Sequence, residues 1–111
     1  MRRGDLVTIA VSGDYGKPRP ALVMQDDAFA ALPSVTVLQL TRDVHEDHLI
    51  RITVQPDAGN GLRKPSQVMV DRAVTVPRAK TSAVFGALNA GTMASVDAAV
   101  LRFFGVGVRA A

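Results

Sequence analysis

The sequence predicts a small β-barrel with one helix at its C-terminal end. Before residue 89 the apolar residues fall in short runs, several of them alternating with polar residues, and turn-forming residues separate the runs. After Asn89 the apolar spacing becomes helical and Gly105 supplies a stop. A chain of 111 residues suffices for one modest core, so we expect a single, mainly β domain over residues 1–111.

Three strands are predicted in the first part of the chain. Leu6 to Val11 alternates in polarity and ends at a loop that begins with Ser12 and Gly13, and Pro20 to Gln25 is a second short run. Val35 to Thr41 is apolar on both faces for most of its length, which indicates a buried, central strand.

Three more strands and the helix follow. Leu49 to Val54 predicts a half-buried strand that pairs antiparallel with the strand before it, and Ser66 to Val76 is long enough to bend or bulge. A turn at Arg78 to Ser82 precedes a last strand at Ala83 to Leu88. The helix begins after Asn89 and runs to about Phe104. Its apolar residues Met93, Val96, Val100 and Phe104 are spaced three or four residues apart, as on one face of a helix.

Composition excludes several classes of protein. Apolar residues make up 48% of the chain, too many for intrinsic disorder, and the lack of cysteine excludes disulfides, thiolate metal sites and cysteine nucleophiles. The longest apolar run, Ala28 to Leu32, is far shorter than a membrane-spanning helix. Arg2 and Arg3 precede no long apolar stretch of a secretory signal, so we expect a mature N-terminus and a cytoplasmic protein.

Arginine accounts for ten of the thirteen basic residues, and the net charge is +3. A guanidinium binds phosphate in a bidentate manner and stays charged at any relevant pH, so a polyanionic partner is one interpretation. Ordinary solubility charge on a small domain is the other.

Common catalytic and cofactor motifs are absent. The glycines fit neither a dinucleotide-binding nor a Walker-type loop, and no nucleophile elbow occurs. His45 and His48 flank two acidic residues, but this spacing is better explained by a charged hairpin tip than by a metal site. We therefore predict no metal and no cofactor.

The segment Gly16-Lys17-Pro18-Arg19-Pro20 directly precedes a predicted strand. The prolines on either side hold the backbone of Arg19 extended, so its guanidinium is presented from a stiff strand entrance. This arrangement suits an anion-binding site, and a solvated loop arginine is the alternative.

Several separate motifs, which together span nearly the whole chain, resemble the MazF/PemK family of toxin endoribonucleases. They are Arg3-Gly4-Asp5-Leu6-Val7, Gly16-Lys17-Pro18-Arg19-Pro20-Ala21-Leu22-Val23, Leu40-Thr41, Pro65-Ser66-Gln67-Val68-Met69-Val70-Asp71 and the helix from Met93 to Phe104. The resemblance implies an SH3-like barrel of the CcdB/PemK type that forms a homodimer. It also implies metal-independent, sequence-specific cleavage of single-stranded RNA, mostly mRNA, under the control of a cognate antitoxin.

The resemblance also implies residue roles. Arg19 stands at the family's catalytic arginine and Thr41 at its catalytic threonine, while Gln67 corresponds to a glutamine that helps to hold RNA, with Ser66 as a neighbouring candidate. The loop from Ser12 to Pro18 is shorter than the family's and lacks its GSEQ stretch. That departure concerns RNA gating and sequence preference rather than the Arg19 and Thr41 pair.

The chemistry of RNA agrees with these two roles. A 2′-hydroxyl that attacks the adjacent phosphorus needs no metal if the charge of the phosphorane is stabilised, which Arg19 can do while Thr41 positions the phosphate. Neither side chain is a good base at neutral pH, so the proton acceptor is unassigned. His45 and His48 are candidate helpers that we expect to be spectators.

Further RNA contacts are predicted in the loops. Tyr15 is a candidate for stacking on an unpaired base, with packing inside its own loop as the alternative. Four cations are candidates for following the phosphate backbone, and a solvated charged surface is their alternative. They are Lys17, Arg42, Arg63 and Lys64.

Two other functions compete with a ribonuclease. A protein-binding toxin of the same fold would poison DNA gyrase through its C-terminal residues, Val106 to Ala111, and a non-catalytic SH3-like module would leave Arg19 and Thr41 without purpose. Phe103 and Phe104 add apolar surface that a homodimer interface would bury. We expect the antitoxin to offer an acidic, partly disordered segment to the groove that contains Arg19.

Overall fold

The structure, a computed structural model, describes residues 1–10, 17–46 and 49–107. In this part of the chain, six strands and one α-helix form the framework, and short 3₁₀ turns follow β2 and β5. The strands are β1 (Asp5–Ala10), β2 (Pro18–Val23), β3 (Ser34–Thr41), β4 (Arg51–Val54), β5 (Ser66–Pro77) and β6 (Gly86–Ala87), and the helix is α1 (Ala90–Phe104).

The six strands form one antiparallel sheet in the order β4-β5-β3-β2-β1-β6. The predicted mainly β fold with a C-terminal helix is confirmed, although this sheet is a half-barrel whose edges are β4 and β6 rather than a closed barrel. Strand β3 lies in the interior of the sheet, as its apolar pattern predicts. Its pairing with β5 shifts register between Leu38 and Leu40, which is the irregularity expected of so long a β5.

The predicted pairing of the fourth strand with the third is wrong. Strand β4 pairs only with β5, and the first half of β5 lies between β4 and β3: Val68 faces Ile52 on one side and Leu40 on the other. A local pattern cannot show which strand of the sheet β4 joins, because β5 comes between β4 and β3 from later in the chain.

Alternate residues of the strands build two apolar clusters, because successive side chains of a strand point to opposite faces. One cluster contains Leu6, Leu22 and Leu38, and includes Val96 of α1. The other contains Val7, Ala21, Val23, Val35 and Val37, and Val74 and Val76 of β5 pack against it. Since β3 contributes to both clusters, both of its faces are buried.

Helix α1 has the predicted boundaries. The Asn89 side chain accepts a hydrogen bond from Thr92 N at 2.8 Å, and Gly105 ends the helix at φ 70°, a left-handed conformation that glycine adopts readily. Val96 is buried, as its helical spacing predicts. Phe104 instead is 61% exposed and packs edge to face on Phe103, because the buried residues of α1, Val96 and Ala99, lie in its middle and its last turn is exposed.

The last strand is much shorter than predicted, with two residues in place of Ala83 to Leu88. Residues 81–85 meet β1 through separate contacts instead of a regular ladder. Thr8 N donates to the Ser82 hydroxyl at 2.8 Å and Phe85 N donates to Leu6 O at 2.9 Å. Ser82 N in turn donates to Thr8 O at 3.0 Å, so the Ser82 hydroxyl takes the place of a backbone carbonyl only as the acceptor for Thr8 N.

Arg3 ties the N-terminus to α1 and to the loop after β2. Its guanidinium binds both carboxylate oxygens of Asp97 and donates to Met24 O, and its backbone N–H donates to Asp27. The hydrogen bond and charge of Asp97 raise the pKa of Arg3. The hydrogen bond from the Arg3 backbone lowers the pKa of Asp27.

Gly86 is the tightest backbone contact among the glycines of the described chain, and it supplies a test of the fold. A Cβ at this position would lie 2.2 Å from the carbonyl oxygen of Asn60, so Gly86→Ala must displace backbone. We expect a loss of unfolding free energy of about 2 kcal/mol, within the usual cost of overpacking, measured by urea denaturation.

Gly91→Ala is the matched control, because its Cβ would meet only the Asn89 side chain at an ordinary 3.5 Å. We expect Gly91→Ala to leave stability unchanged or slightly higher, since alanine favours helix over glycine. Equal midpoints of urea unfolding for the two variants would contradict the close contact between Gly86 and the backbone of Asn60.

Candidate functional site

Arg19 of β2 and Thr41 of β3 lie at the same end of two paired strands and line one pocket. The antiparallel register pairs Ala21 with Gln39, and its extension by two residues toward the strand ends brings Arg19 opposite Thr41. Directly opposed residues project to the same face of a sheet. The two motifs, 22 residues apart in the sequence, therefore meet because of the strand register.

A pocket of about 180 Å³ contains both side chains. Its lining consists of consecutive residues from the start of β2 and from the end of β3: Lys17, Pro18, Arg19, Pro20, Leu40, Thr41 and Arg42. Three of these seven residues are cations and none is acidic. The pocket is therefore suited to an anion of modest size, such as one phosphate group.

The Thr41 hydroxyl is oriented by the backbone just after it. Asp43 N donates a hydrogen bond to Thr41 Oγ1 at 3.0 Å, which forms a turn closed by a threonine side chain. A hydroxyl has one proton and two lone pairs, so this bond occupies an acceptor position and leaves the proton to be donated. Thr41 is thus set to act as a hydrogen-bond donor toward a group in the pocket.

A second, larger cleft of about 610 Å³ adjoins this pocket, and Pro20 and Arg42 line both. Its remaining lining comes from β1, the 61–66 segment and the loop before β6: Thr8, Gly61, Leu62, Arg63, Lys64, Ser66, Ser82, Ala83, Val84 and Phe85. Arg42, Arg63 and Lys64 give it positive charge, and no lining residue is acidic. Together the clefts form one basic surface.

Gln67 does not face either cleft. Its side chain is fully buried, Oε1 accepts from His45 N at 2.9 Å, and Nε2 donates to His45 O at 2.6 Å and to Thr53 Oγ1 at 3.0 Å. The carboxamide thus fastens the segment after Thr41 to β5 and β4. In this arrangement Gln67 holds the loop, and the RNA-holding role that the family resemblance implies for it stays a prediction.

The other predicted contact residues are divided between the two clefts. Ser66 lines the larger cleft, but it is buried and its hydroxyl donates to Lys64 O at 3.0 Å. Lys17 lines the smaller pocket, Arg63 and Lys64 line the larger cleft, and all three are exposed. Tyr15 lies outside the described residues.

Of the two histidines, only His45 lies within the described chain. Its Nε2 is 3.3 Å from the Asp43 carboxylate, and its side chain is exposed and absent from the lining of both clefts. His48 is outside the described residues. Among the described residues, no group of three or more potential His, Cys, Asp or Glu ligands comes together.

The apolar lining of the larger cleft was not predicted. Val84 and Phe85 fall in the predicted last strand, because a short exposed apolar run has the same pattern as a short edge strand, and no pattern singles out Leu62. The one available signal was the Asp57-Ala58-Gly59-Asn60-Gly61 segment, whose composition favours a tight, internally hydrogen-bonded loop.

Comparison with known proteins identifies the family. Residues 2–104 match the family described as PemK-like, MazF-like toxin of type II toxin-antitoxin system. The chain belongs to the PemK/MazF toxin family. It is 43% identical over 107 residues to a protein of Mycolicibacterium smegmatis named probable endoribonuclease MazF, a match that covers 96% of this chain and 98% of the relative.

Solved structures of this family have the same fold. The Mycobacterium tuberculosis toxin MazF-mt6 matches with a TM-score of 0.80 and 25% identity, covering 94% of this chain and 99% of that one. A mycobacterial endoribonuclease in complex with its cognate antitoxin matches with a TM-score of 0.80 and 16% identity, covering 98% and 99%.

The prediction of a MazF-type toxin endoribonuclease is thus confirmed, and the CcdB-like gyrase poison is not favoured. Residues 108–111, part of the tail on which that alternative depended, lie outside the described chain. Within the described residues, no helix has both the length and the apolar character needed to cross a membrane.

The role of Gln67 as a loop fastener can be tested by Gln67→Leu, which keeps much of the buried volume and removes all three hydrogen bonds. We expect a loss of unfolding free energy of about 1–3 kcal/mol, because backbone groups of His45 lose their buried partners. Hydrogen exchange of the His45 amide should become faster. Thr53→Val is the control, since it removes only one of the three bonds, and a Gln67→Leu protein with unchanged exchange at His45 would contradict this role.

Proposed function

We propose that this toxin cleaves single-stranded RNA without a metal ion, through attack of the RNA's own 2′-hydroxyl. The observation that carries the proposal is the shared pocket of Arg19 and Thr41, which pairs a fixed cation with a hydrogen-bond donor in a cleft without carboxylates. Such a pocket stabilises negative charge that develops on a bound phosphodiester. Arg19 and Thr41 are the proposed catalytic residues.

In the proposed reaction, the 2′-oxygen forms a bond to the adjacent phosphorus as the bond from phosphorus to the 5′-oxygen breaks. The products are a 2′,3′-cyclic phosphate and a 5′-hydroxyl end. The 2′-hydroxyl loses its proton to a base that we leave unassigned, and the departing 5′-oxygen gains a proton. Because water is not a reactant in this step, the pocket needs no position for an attacking water molecule.

Each proposed catalytic side chain has a separate task. The Arg19 guanidinium offers parallel N–H donors and a permanent charge to the non-bridging oxygens, which carry most of the charge in the transition state. Thr41 donates its hydroxyl proton to one of these oxygens and so holds the phosphorus in line with the attacking oxygen. The bond from Asp43 N keeps the hydroxyl in this orientation.

The surface around the pocket supports single-stranded RNA as the substrate. Arg42, Arg63 and Lys64 extend the basic lining away from Arg19, as needed to follow a phosphate backbone. The attack requires a flexible sugar-phosphate backbone that reaches an in-line geometry, and a paired A-form helix holds that backbone rigid. From this surface and from the family to which the chain belongs, we propose sequence-specific cleavage of mRNA. We also propose a cytoplasmic site of action.

We further propose two protein partners. One is a cognate antitoxin with an acidic segment that covers the pocket that contains Arg19; its support is the solved complex of a structurally similar endoribonuclease with its cognate antitoxin. The other is a second copy of this chain. Its support is the apolar surface at the end of α1, where Leu101, Phe103, Phe104 and Val106 are all about half exposed or more.

The first test is cleavage of a long single-stranded RNA in excess EDTA, with the ends of the fragments mapped. We expect cuts at a short recurrent sequence that leave 5′-hydroxyl ends, and a loss of rate of at least about 100-fold in Arg19→Ala. Thr41→Val should lose activity while Thr41→Ser, which keeps the hydroxyl, retains most of it. Undiminished cleavage by Arg19→Ala would contradict the proposed mechanism. A requirement for added metal would contradict the metal-independent route.

The proposed dimer is tested by size-exclusion chromatography with light scattering at micromolar concentration. We expect the mass of two chains for the wild type, and at least about 10-fold weaker association for Phe104→Asp, because a buried carboxylate without a partner is strongly unfavourable. Phe29→Asp is the control, since Phe29 is similarly exposed but lies on the 3₁₀ turn after β2. A wild type that is monomeric at this concentration would contradict the proposal.

A further inference from the structure

We propose that the larger cleft binds one unpaired base of the RNA beside the cleaved phosphodiester. In this subsite the base stacks on Phe85 while the adjoining phosphates contact Arg63 and Lys64. The inference rests on the proposed function, and it assigns the recognition of a flanking nucleotide to a part of the molecule that contributes nothing to the bond-breaking step.

The position of the cleft is the first argument. It meets the Arg19 and Thr41 pocket at Pro20 and Arg42, which line both. An RNA whose phosphodiester occupies the smaller pocket can therefore continue directly into the larger cleft. The cleft volume of about 610 Å³ falls in the range of roughly 300–1,000 Å³ that small-ligand pockets have.

The chemistry of the lining is the second argument. Leu62, Val84 and Phe85 form an apolar surface, and Phe85 is 38% exposed, so its ring is partly open to a ligand. The cations of the lining lie on the same cleft, which has no acidic residue. An aromatic ring next to phosphate-binding cations is the arrangement by which proteins bind single-stranded nucleic acid, because bases stack on the ring while phosphates bind the cations.

The rigidity of the cleft is the third argument. Asn60 is buried, and its Oδ1 accepts from the backbone N–H groups of Asp57 and Leu62, so the loop is bonded to itself. Gly61 has φ +66°, and a Cβ there would lie 2.7 Å from the Phe85 carbonyl oxygen. Loop and aromatic segment thus touch through backbone atoms, and little conformational entropy remains to be lost when a base binds.

The charge of the cleft favours RNA over an apolar protein segment as its occupant. A protein partner anchored by apolar side chains alone would leave Arg42, Arg63 and Lys64 desolvated without partners, which is unfavourable. A nucleotide satisfies both parts of the lining at once. The antitoxin is therefore the competing occupant in the test rather than the proposed one.

The test uses the full-length protein and a short RNA centred on a mapped cleavage site. A 2′-deoxy nucleotide at the attacking position prevents cleavage, and a series of such RNAs lacks one base at a time. Dissociation constants come from fluorescence anisotropy. For the wild type, we expect removal of one base next to the cleaved bond to weaken binding about 10-fold, a typical effect of losing one stacked base.

Phe85→Leu keeps the cleft apolar and removes the aromatic ring. We expect it to bind the complete RNA about 10-fold more weakly than the wild type, and to show no further loss when that same base is removed. Phe85→Tyr should restore wild-type binding. Cleavage of the mapped RNA by Phe85→Leu should show a raised KM with kcat nearly unchanged, because the ring touches no reacting atom.

Two matched controls separate this subsite from general surface effects. Phe29→Leu changes an exposed phenylalanine that lines neither cleft, and it should bind every RNA like the wild type. Arg63→Ala and Lys64→Ala should each weaken RNA binding and reduce the slope of its salt dependence by the amount of about one phosphate contact. Arg72→Ala, at an exposed position of β5 outside both clefts, should change neither.

The outcomes are distinguishable. A Phe85→Leu protein that binds the whole RNA series like the wild type overturns the subsite. Binding of the cognate antitoxin is measured on the same variants, and a loss confined to it also overturns the subsite, because the cleft would then be a protein-docking site. A wild type that neither binds nor cleaves RNA overturns the proposed function itself, and the subsite with it.

Discussion

Burial of β3 on both faces is the constraint from which the candidate site follows. Val35 and Val37 enter one apolar cluster while Leu38 and Leu40 enter the other. A slip of one residue would exchange the two sets, so the register with β2 is strongly determined. The same register brings Arg19 opposite Thr41. The packing of the core and the geometry of the pocket are therefore two results of a single strand alignment.

The segments around the pocket are fixed by polar groups that the apolar clusters do not supply. Gln67 fastens the segment that follows Thr41, and Asn60 closes the loop below the larger cleft. Both side chains are buried and satisfied by backbone partners, which is the condition under which buried amides stabilise a structure. The cleft residues thus lie on segments whose backbones are fixed by hydrogen bonds to buried side chains. Less ordering is then needed when a charged ligand arrives.

Much of the fold and the core of the site could be predicted from the sequence. Alternating polarity predicted β1, apolar residues on both faces predicted the central strand β3, and the caps predicted α1, while the family motifs suggested that Arg19 and Thr41 share a site. The place of β4 could not be predicted, because pairing partners depend on long-range order in the sheet rather than on local pattern. The hydrogen bonds by which Gln67 holds the loop and the cleft at Phe85 were not predicted either, since neither a buried carboxamide nor an exposed apolar loop has a distinctive periodicity.

The two clefts differ in what holds their residues in place. Arg19 and Thr41 belong to strands, where a change of register would disturb the whole core. Leu62, Arg63, Lys64, Val84 and Phe85 lie on connections between strands, which tolerate insertion and replacement far better. Under the proposed function, the reaction is thus constrained in evolution by the scaffold, while recognition is open to variation. On that proposal, a lineage of such toxins can diversify its RNA targets by sequence drift in these connections and keep one unchanged way of breaking the bond.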